Sequence, residues 1–191
     1  MALPLLALTA CATLVEGDDQ TVTIVSDPAG AACTLTRKGV EIGAVTPTPG
    51  SIVLEKSSDD ASVVCSKAGH FDGAAALSSS FQNMTIGNVL FGGIIGVAVD
   101  AASGAMHEYP ASITILLTPK RFTGTAERDA FFERRTAQIE ADAKAAEAAV
   151  RKKCVPDEQD CDALVAKVKE ERDARIRQLE DERAAAQVDG G

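Results

Sequence analysis

Tryptophan is absent, Tyr109 is the only tyrosine, and aromatic residues make up 4% of the chain. A core of this composition has to be built mainly from Val, Ile, Leu and Ala. Basic residues are also in short supply: 19 Lys and Arg stand against 28 Asp and Glu, a net charge of −9. That balance speaks against nucleic acid, which needs cations clustered on one face. It equally disfavours attachment to anionic lipid by charge alone. Histidine occurs only at His70 and His107, and no nucleophile–base pair or carboxylate pair stands in a recognisable setting. No catalytic, cofactor-binding or metal-binding residue is therefore expected. Long apolar runs are missing too. The uncharged stretch Met84–Val99 has sixteen residues and ends at Asp100, short of the ~20 that a spanning helix needs.

What is present divides the chain into parts. Its 191 residues have room for one compact domain with an appendage, or for two small domains. Five cysteines fall at 11, 33, 65, 154 and 161. In an exported protein an odd count leaves one thiol that needs another explanation. Here that residue is Cys11. Residues 2–10 form an uncharged, mostly apolar run that stops directly before it, and Leu8-Thr9-Ala10-Cys11 resembles the lipobox of bacterial lipoproteins. In that family a peptidase cuts before the cysteine, which then carries a diacylglycerol and an acylated amine. Small residues before the cut let the backbone enter a narrow site. Two or three acyl chains, palmitate among them, anchor stably where one would be marginal.

The match departs from the family in one respect. No Lys or Arg precedes the apolar run, which is shorter than a normal hydrophobic region. The expectation is a start codon assigned too late, with a basic segment lost upstream. Residues 1–10 are thus read as a truncated signal segment and 11–20 as anchor and tether. Ala12 follows the anchor cysteine. By analogy with enterobacterial sorting, where Asp at that position retains the protein at the inner membrane, the resemblance implies the outer membrane, facing the periplasm.

From Thr21 the pattern becomes that of short strands: Thr21–Val25, Ala32–Thr36, Ser51–Glu55, Ala61–Ser66 and Ser112–Thr118, separated by Gly/Pro turns. Strands at this spacing predict a small antiparallel β-sandwich over residues 21–119. The turns themselves resemble those of the PEGA domain, a small bacterial β-sandwich. Val22–Ala31 is similar to its opening, Thr46-Pro-Thr-Pro-Gly50 to its Thr-Pro turn, and Lys67-Ala-Gly-His-Phe71 to its Gly-Tyr turn. The resemblance implies an extracytoplasmic module and no particular ligand.

Cys33 and Cys65 both lie in predicted strands. The default reading in an exported chain is a disulfide; the rival is a pair of buried free thiols acting as small hydrophobes. Neither has a histidine at a catalytic or zinc-site spacing. Residues 84–106 interrupt the strand pattern as a glycine-rich insertion. Gly92 and Gly96 would share one face of a helix there, where close helix contact is feasible. The segment reads first as a helical hairpin folded onto the sandwich, and alternatively as a membrane-dipping or self-associating element or as a loop of no special role. His107 and Glu108 beside it read as surface polarity.

After Gly124 the composition turns to Ala, Glu, Arg, Lys and Asp. Thr125 is the expected N-cap of a helix running to about Lys153, with Glu127 and Asp129 favoured by the helix dipole. Pro156 and Asp157 mark a break, and a second helix is expected over 158–187 with a thin stripe of Val165, Val168, Ile176 and Leu179. Two long helices with a short loop pack antiparallel. Cys154 and Cys161 bracket that loop and would clamp it if joined; metal binding is the alternative. The charge run reads as a solvated face, or as an arm that hands part of its surface to a protein partner or a second copy, coiled-coil fashion.

The fold expected is therefore α+β: a PEGA-like sandwich over 21–119 with its helical insertion, then a charged helical hairpin over 120–191. Three function classes follow. The first is an envelope lipoprotein that binds or scaffolds. The second is a membrane-active or self-associating protein working through 84–106. The third, an enzyme, has the least support.

Overall fold

A computed structural model describes residues 19–78, 109–154 and 160–189. The class is α+β: among the described residues eight strands precede two helices, and a ninth strand follows them. One sheet has the order β4-β1-β7, built from Gly50–Glu55, Asp19–Asp27 and Ser112–Leu116. The other has the order β3-β2-β5-β6, built from Val40–Val45, Ala32–Arg37, Ala61–Ser66 and Gly73–Leu77.

Alternation decides which side chains face inward. Val22 and Ile24 of β1, Leu54 of β4, and Ile113 and Ile115 of β7 bury against Leu35, Val63 and Leu77 of the facing sheet. The core is aliphatic, as the shortage of aromatics requires. Tyr109 closes it at one end. Its hydroxyl donates to the Asp59 carbonyl at 2.7 Å, and the Gln20 side-chain amide pairs with both backbone groups of Tyr109, at 2.8 and 3.0 Å.

Three departures from the sequence expectations have physical causes. First, the sandwich is not wholly antiparallel, because β7 pairs in parallel with β1 from Thr23↔Ser112 to Asp27↔Leu116. The preceding described strand, β6, belongs to the opposite sheet, so β7 enters beside β1 by a crossover and not by a hairpin turn. Second, β3 and β6 were not anticipated. A register shift opposite Leu35/Thr36 inserts an extra residue into β3, so its side chains do not alternate cleanly. In β6 three consecutive alanines carry little strand signal. Third, Gly124, not Thr125, caps the first helix, with no side-chain cap. Thr123 supplies the local bond instead, its backbone N–H donating to the Glu127 carboxylate at 2.9 Å.

The hairpin turn around Arg37–Gly39 is as expected. Lys38 and Gly39 both take positive φ, 51° and 77°, the conformation that a two-residue turn needs to match strand twist. Cys33 and Cys65 face each other directly in the β2–β5 register and are joined by a disulfide inside the core.

Helix α1 (Thr125–Lys153) and helix α2 (Cys161–Ala185) pack as a hairpin-like pair. Asp160 caps α2, its carboxylate accepting from Ala163 N–H at 2.9 Å, so this helix starts a few residues later than the sequence indicated. Val165, Val168 and Leu179 of the expected stripe are buried, and Ile176 is half-buried. Cys154 and Cys161 are joined at the far end. At the near end β8 (Arg121–Phe122) pairs in parallel with β9 (Gln187–Val188), tying the chain after α2 to the chain before α1. Among the described residues no helix is long and apolar enough to cross a membrane.

Two outcomes test this packing. A Cβ at Gly73 would meet the Leu116 carbonyl oxygen at 2.7 Å and Ile115 Cγ2 at 2.6 Å. Gly73→Ala should therefore destabilise the sandwich by about 1–3 kcal/mol through overpacking, read as a lowered melting midpoint. Removing the Cys154–Cys161 clamp by a double Cys→Ser substitution should cost about 2–3 kcal/mol by loop entropy, read from denaturant titration of the helical signal.

Candidate binding cleft at the base of the helical hairpin

Three turns, around Gly30–Ala31, Thr46–Gly50 and Lys67–Phe71, gather at one end of the sandwich. Thr48, buried in the Thr-Pro turn, exchanges backbone bonds with the Gly30–Ala31 turn: Thr48 N–H donates to Ala31 at 2.9 Å and Gly30 N–H to Thr48 at 2.8 Å. Its hydroxyl accepts from Ala31 N–H at 2.9 Å. From the third turn, Lys67 Nζ donates to the Ala29 carbonyl at 2.7 Å. The same end receives the helices. Phe71 N–H donates to Thr118 and Lys120 N–H to Gly69, both at 2.8 Å.

Phe122, Phe131 and Phe132 form a triangle with centroid separations of 5.3–5.8 Å, and Phe71 joins their cluster. A cleft of about 490 Å³ opens beside this junction. Its sandwich wall carries Asp27, Pro28, His70 and Pro119. The helix wall presents Phe131, Arg134, Arg135 and Gln138. The Arg135 guanidinium lies 5.9 Å from the Phe131 ring centroid. Burial pulls its pKa below the ordinary arginine range, and Arg175 adds repulsion, while Asp27, Glu182 and Asp142 act in the opposite sense.

Behind the cleft runs an unusual seam between the helices. Phe132, Ile139, Ala143, Ala146 and Val150 bury one side of α1, but Asp142 shares it at 4% exposure. On α2, Arg175 and Glu182 are buried at 7% and 8%. Gln138 donates to Asp142 at 2.8 Å, and Gln178 to Glu182 at 2.8 Å. The second carboxylate oxygens of Glu171 and Glu182 are buried without a hydrogen-bond partner, a costly state for a charged group. Burial lowers the Arg175 pKa, against the favourable charge of Glu182.

The structure brings both expected cysteine pairs together. It places His70 on the cleft wall, with Nδ1 3.1 Å from the Ala68 carbonyl oxygen. Cys11, Gly92, Gly96 and His107 lie outside the described residues. Among the described residues no three His, Cys, Asp or Glu side chains form a metal-binding group. From the sequence alone the charged residues of the cleft and seam read as a solvated face. A signal for them existed: Arg135 and Asp142 are seven residues apart in the same heptad frame as Phe132, Ile139 and Ala146. Compared with models of protein families, with curated proteins and with solved structures, the chain matches none.

The seam gives a pH prediction with a definite sign. Burial holds the Asp142 carboxyl above its unfolded value of 3.8, although Gln138 and Arg135 pull it down. Glu171 is raised by burial in the same way. In the folded chain these groups regain protons at a pH where the unfolded chain has none, so acidification stabilises the fold through them. Glu127 and Asp129 are shifted the other way, by hydrogen bonds from Thr123 and from Arg183 and Arg128. Their contribution stays in place until the pH falls below the unfolded values. Asp142→Asn should therefore raise the melting temperature at neutral pH. It should also shrink the gain that wild type shows as the pH falls towards 4.5, the unfolded value for Glu171. A thermal-melt series on both proteins reads this directly.

Proposed function

We propose that this chain is a bacterial cell-envelope lipoprotein, anchored through acylated Cys11, that acts as a non-catalytic binding or scaffolding module. The single observation that carries the reading is the partition of the cysteines. Four of the five are paired within the described residues, Cys33 with Cys65 and Cys154 with Cys161. The one left is Cys11, directly after Leu8-Thr9-Ala10. Disulfides persist in oxidising compartments, so two of them fit an exported protein.

The mutual hydrogen bonding of the Gly30–Ala31 and Thr46–Gly50 turns supports the PEGA-like reading of the sandwich, because the segments that carry the resemblance work together as one unit. The polar seam supports a protein partner, or a second copy, for the helical hairpin. Asp142, Arg175 and Glu182 interrupt the apolar seam between the two helices, so the hairpin gains less from its own packing and has more to gain from a partner surface. The lipobox resemblance and Ala12 favour the outer membrane, facing the periplasm.

Expressed in a bacterium behind a functional signal sequence, the protein should incorporate labelled fatty acid and sediment with membranes. Cys11→Ser should abolish both. Unchanged membrane retention of that variant, or an unlabelled chain that keeps residues 1–10, would sink the anchoring claim.

A further inference from the structure

The cleft between the sandwich and α1 concentrates positive charge in a chain whose net charge is −9. Arg134 and Arg135 both line it, and among the described residues neither forms an ion pair within 4 Å. Arg135 has carboxylates near it but none in direct contact. It is half-buried, rests over Phe131 at 5.9 Å, and faces a second buried guanidinium, Arg175. Its attractive neighbours are Asp27 across the cleft and Asp142 and Glu182 of the seam. The remaining walls are largely apolar: Pro28, Leu117, Pro119 and the Phe131 ring.

We infer that this cleft binds a small organic monoanion, a carboxylate on an apolar stem, with Arg134 and Arg135 holding the carboxylate against α1. The cleft's 490 Å³ falls in the range of small-ligand sites, about 300–1,000 Å³. Two guanidiniums offer the planar donor fork that suits a carboxylate. Asp27 on the opposite wall disfavours a dianion, so a phosphate monoester with about two charges fits less well. The proline, leucine and phenylalanine walls need a stem to cover them, which a bare inorganic ion lacks. The carboxylate could be that of a free short-chain acid or that of a peptide's C-terminal residue; the chemistry recognised is the same. This inference deepens the reading of the chain as a binding module, and it is independent of the lipid anchor.

The test is calorimetric titration of the full chain carrying Cys11→Ser, so that no detergent competes for the apolar walls. The probes are 4-methylpentanoate, its amide, N-acetyl-Ala-Leu with a free carboxylate, its amide, and inorganic phosphate. At least one of the two acids should bind saturably, about tenfold or more tighter than its amide and than phosphate. Binding of both acids would point to a free acid as the natural source, and binding of the peptide alone to a chain end. Arg135→Gln should weaken the acid by about tenfold or more, and Arg134→Gln, at an exposed position that leaves folding intact, should weaken it in the same direction. Neither acid binding by about 10 mM, amides or phosphate binding as well as the acids, or acid affinity unchanged in the Arg134→Gln variant would overturn the proposal. Anchoring is read separately, from membrane sedimentation of the Cys11 protein, so failure of one claim leaves the other distinguishable. Crosslinking of the hairpin to a protein partner with no acid bound would keep the binding-module reading and reject this site.

Discussion

Four of the six phenylalanines, Phe71, Phe122, Phe131 and Phe132, meet where the sandwich ends and the helices begin. A two-helix pair with Arg175, Glu182 and Asp142 in its seam cannot draw much stability from its own interface, because burying charge costs what burying apolar surface supplies. It is held instead from its two ends. The aromatic cluster and the β8–β9 pairing fasten the near end, and the Cys154–Cys161 disulfide closes the far one. The cleft depends on this arrangement. Only because α1 leaves the sandwich at a fixed point do Arg134 and Arg135 stand opposite Asp27 and His70.

The sandwich was legible wherever one residue type kept its period. Thr21–Val25 and Ala61–Ser66 are strands whose inward positions, Val22 and Ile24 in one and Ala61, Val63 and Cys65 in the other, are buried, while Val64 faces outward. Legibility failed where the backbone breaks the period, at the bulge in β3, or where alanine carries no preference, in β6. The parallel pairing of β1 with β7 could not be read locally, since pairing partners 89 residues apart, such as Thr23 and Ser112, leave no mark on each other's neighbours. Both disulfides were readable from placement together with the expectation of an oxidising compartment: one pair in two strands, the other bracketing a loop. The cleft was not, because Arg134 and Arg135 look like any exposed helical charges until Phe131 and Phe132 are seen to turn that stretch towards the sandwich.

The polar seam and the cleft are parts of one electrostatic unit. Arg135 belongs to both, feeling Asp27 on one side and Arg175, Asp142 and Glu182 on the other. Charge placed in the cleft therefore acts on the same guanidinium that the seam holds. The proposed binding module has two faces, a small concave site and a long charged arm, joined through Arg135 and Gln138.

The account rests most heavily on the division of the cysteines, two pairs and one anchor. Mass spectrometry of the membrane-extracted protein, digested without reduction, tests it in one measurement. The account predicts a chain that begins at Cys11 with the mass of a diacylglyceryl group and acylated amine, together with two linked peptide pairs, Cys33–Cys65 and Cys154–Cys161. An unmodified Cys11 still preceded by residues 1–10, with free thiols at the other four positions, would contradict it.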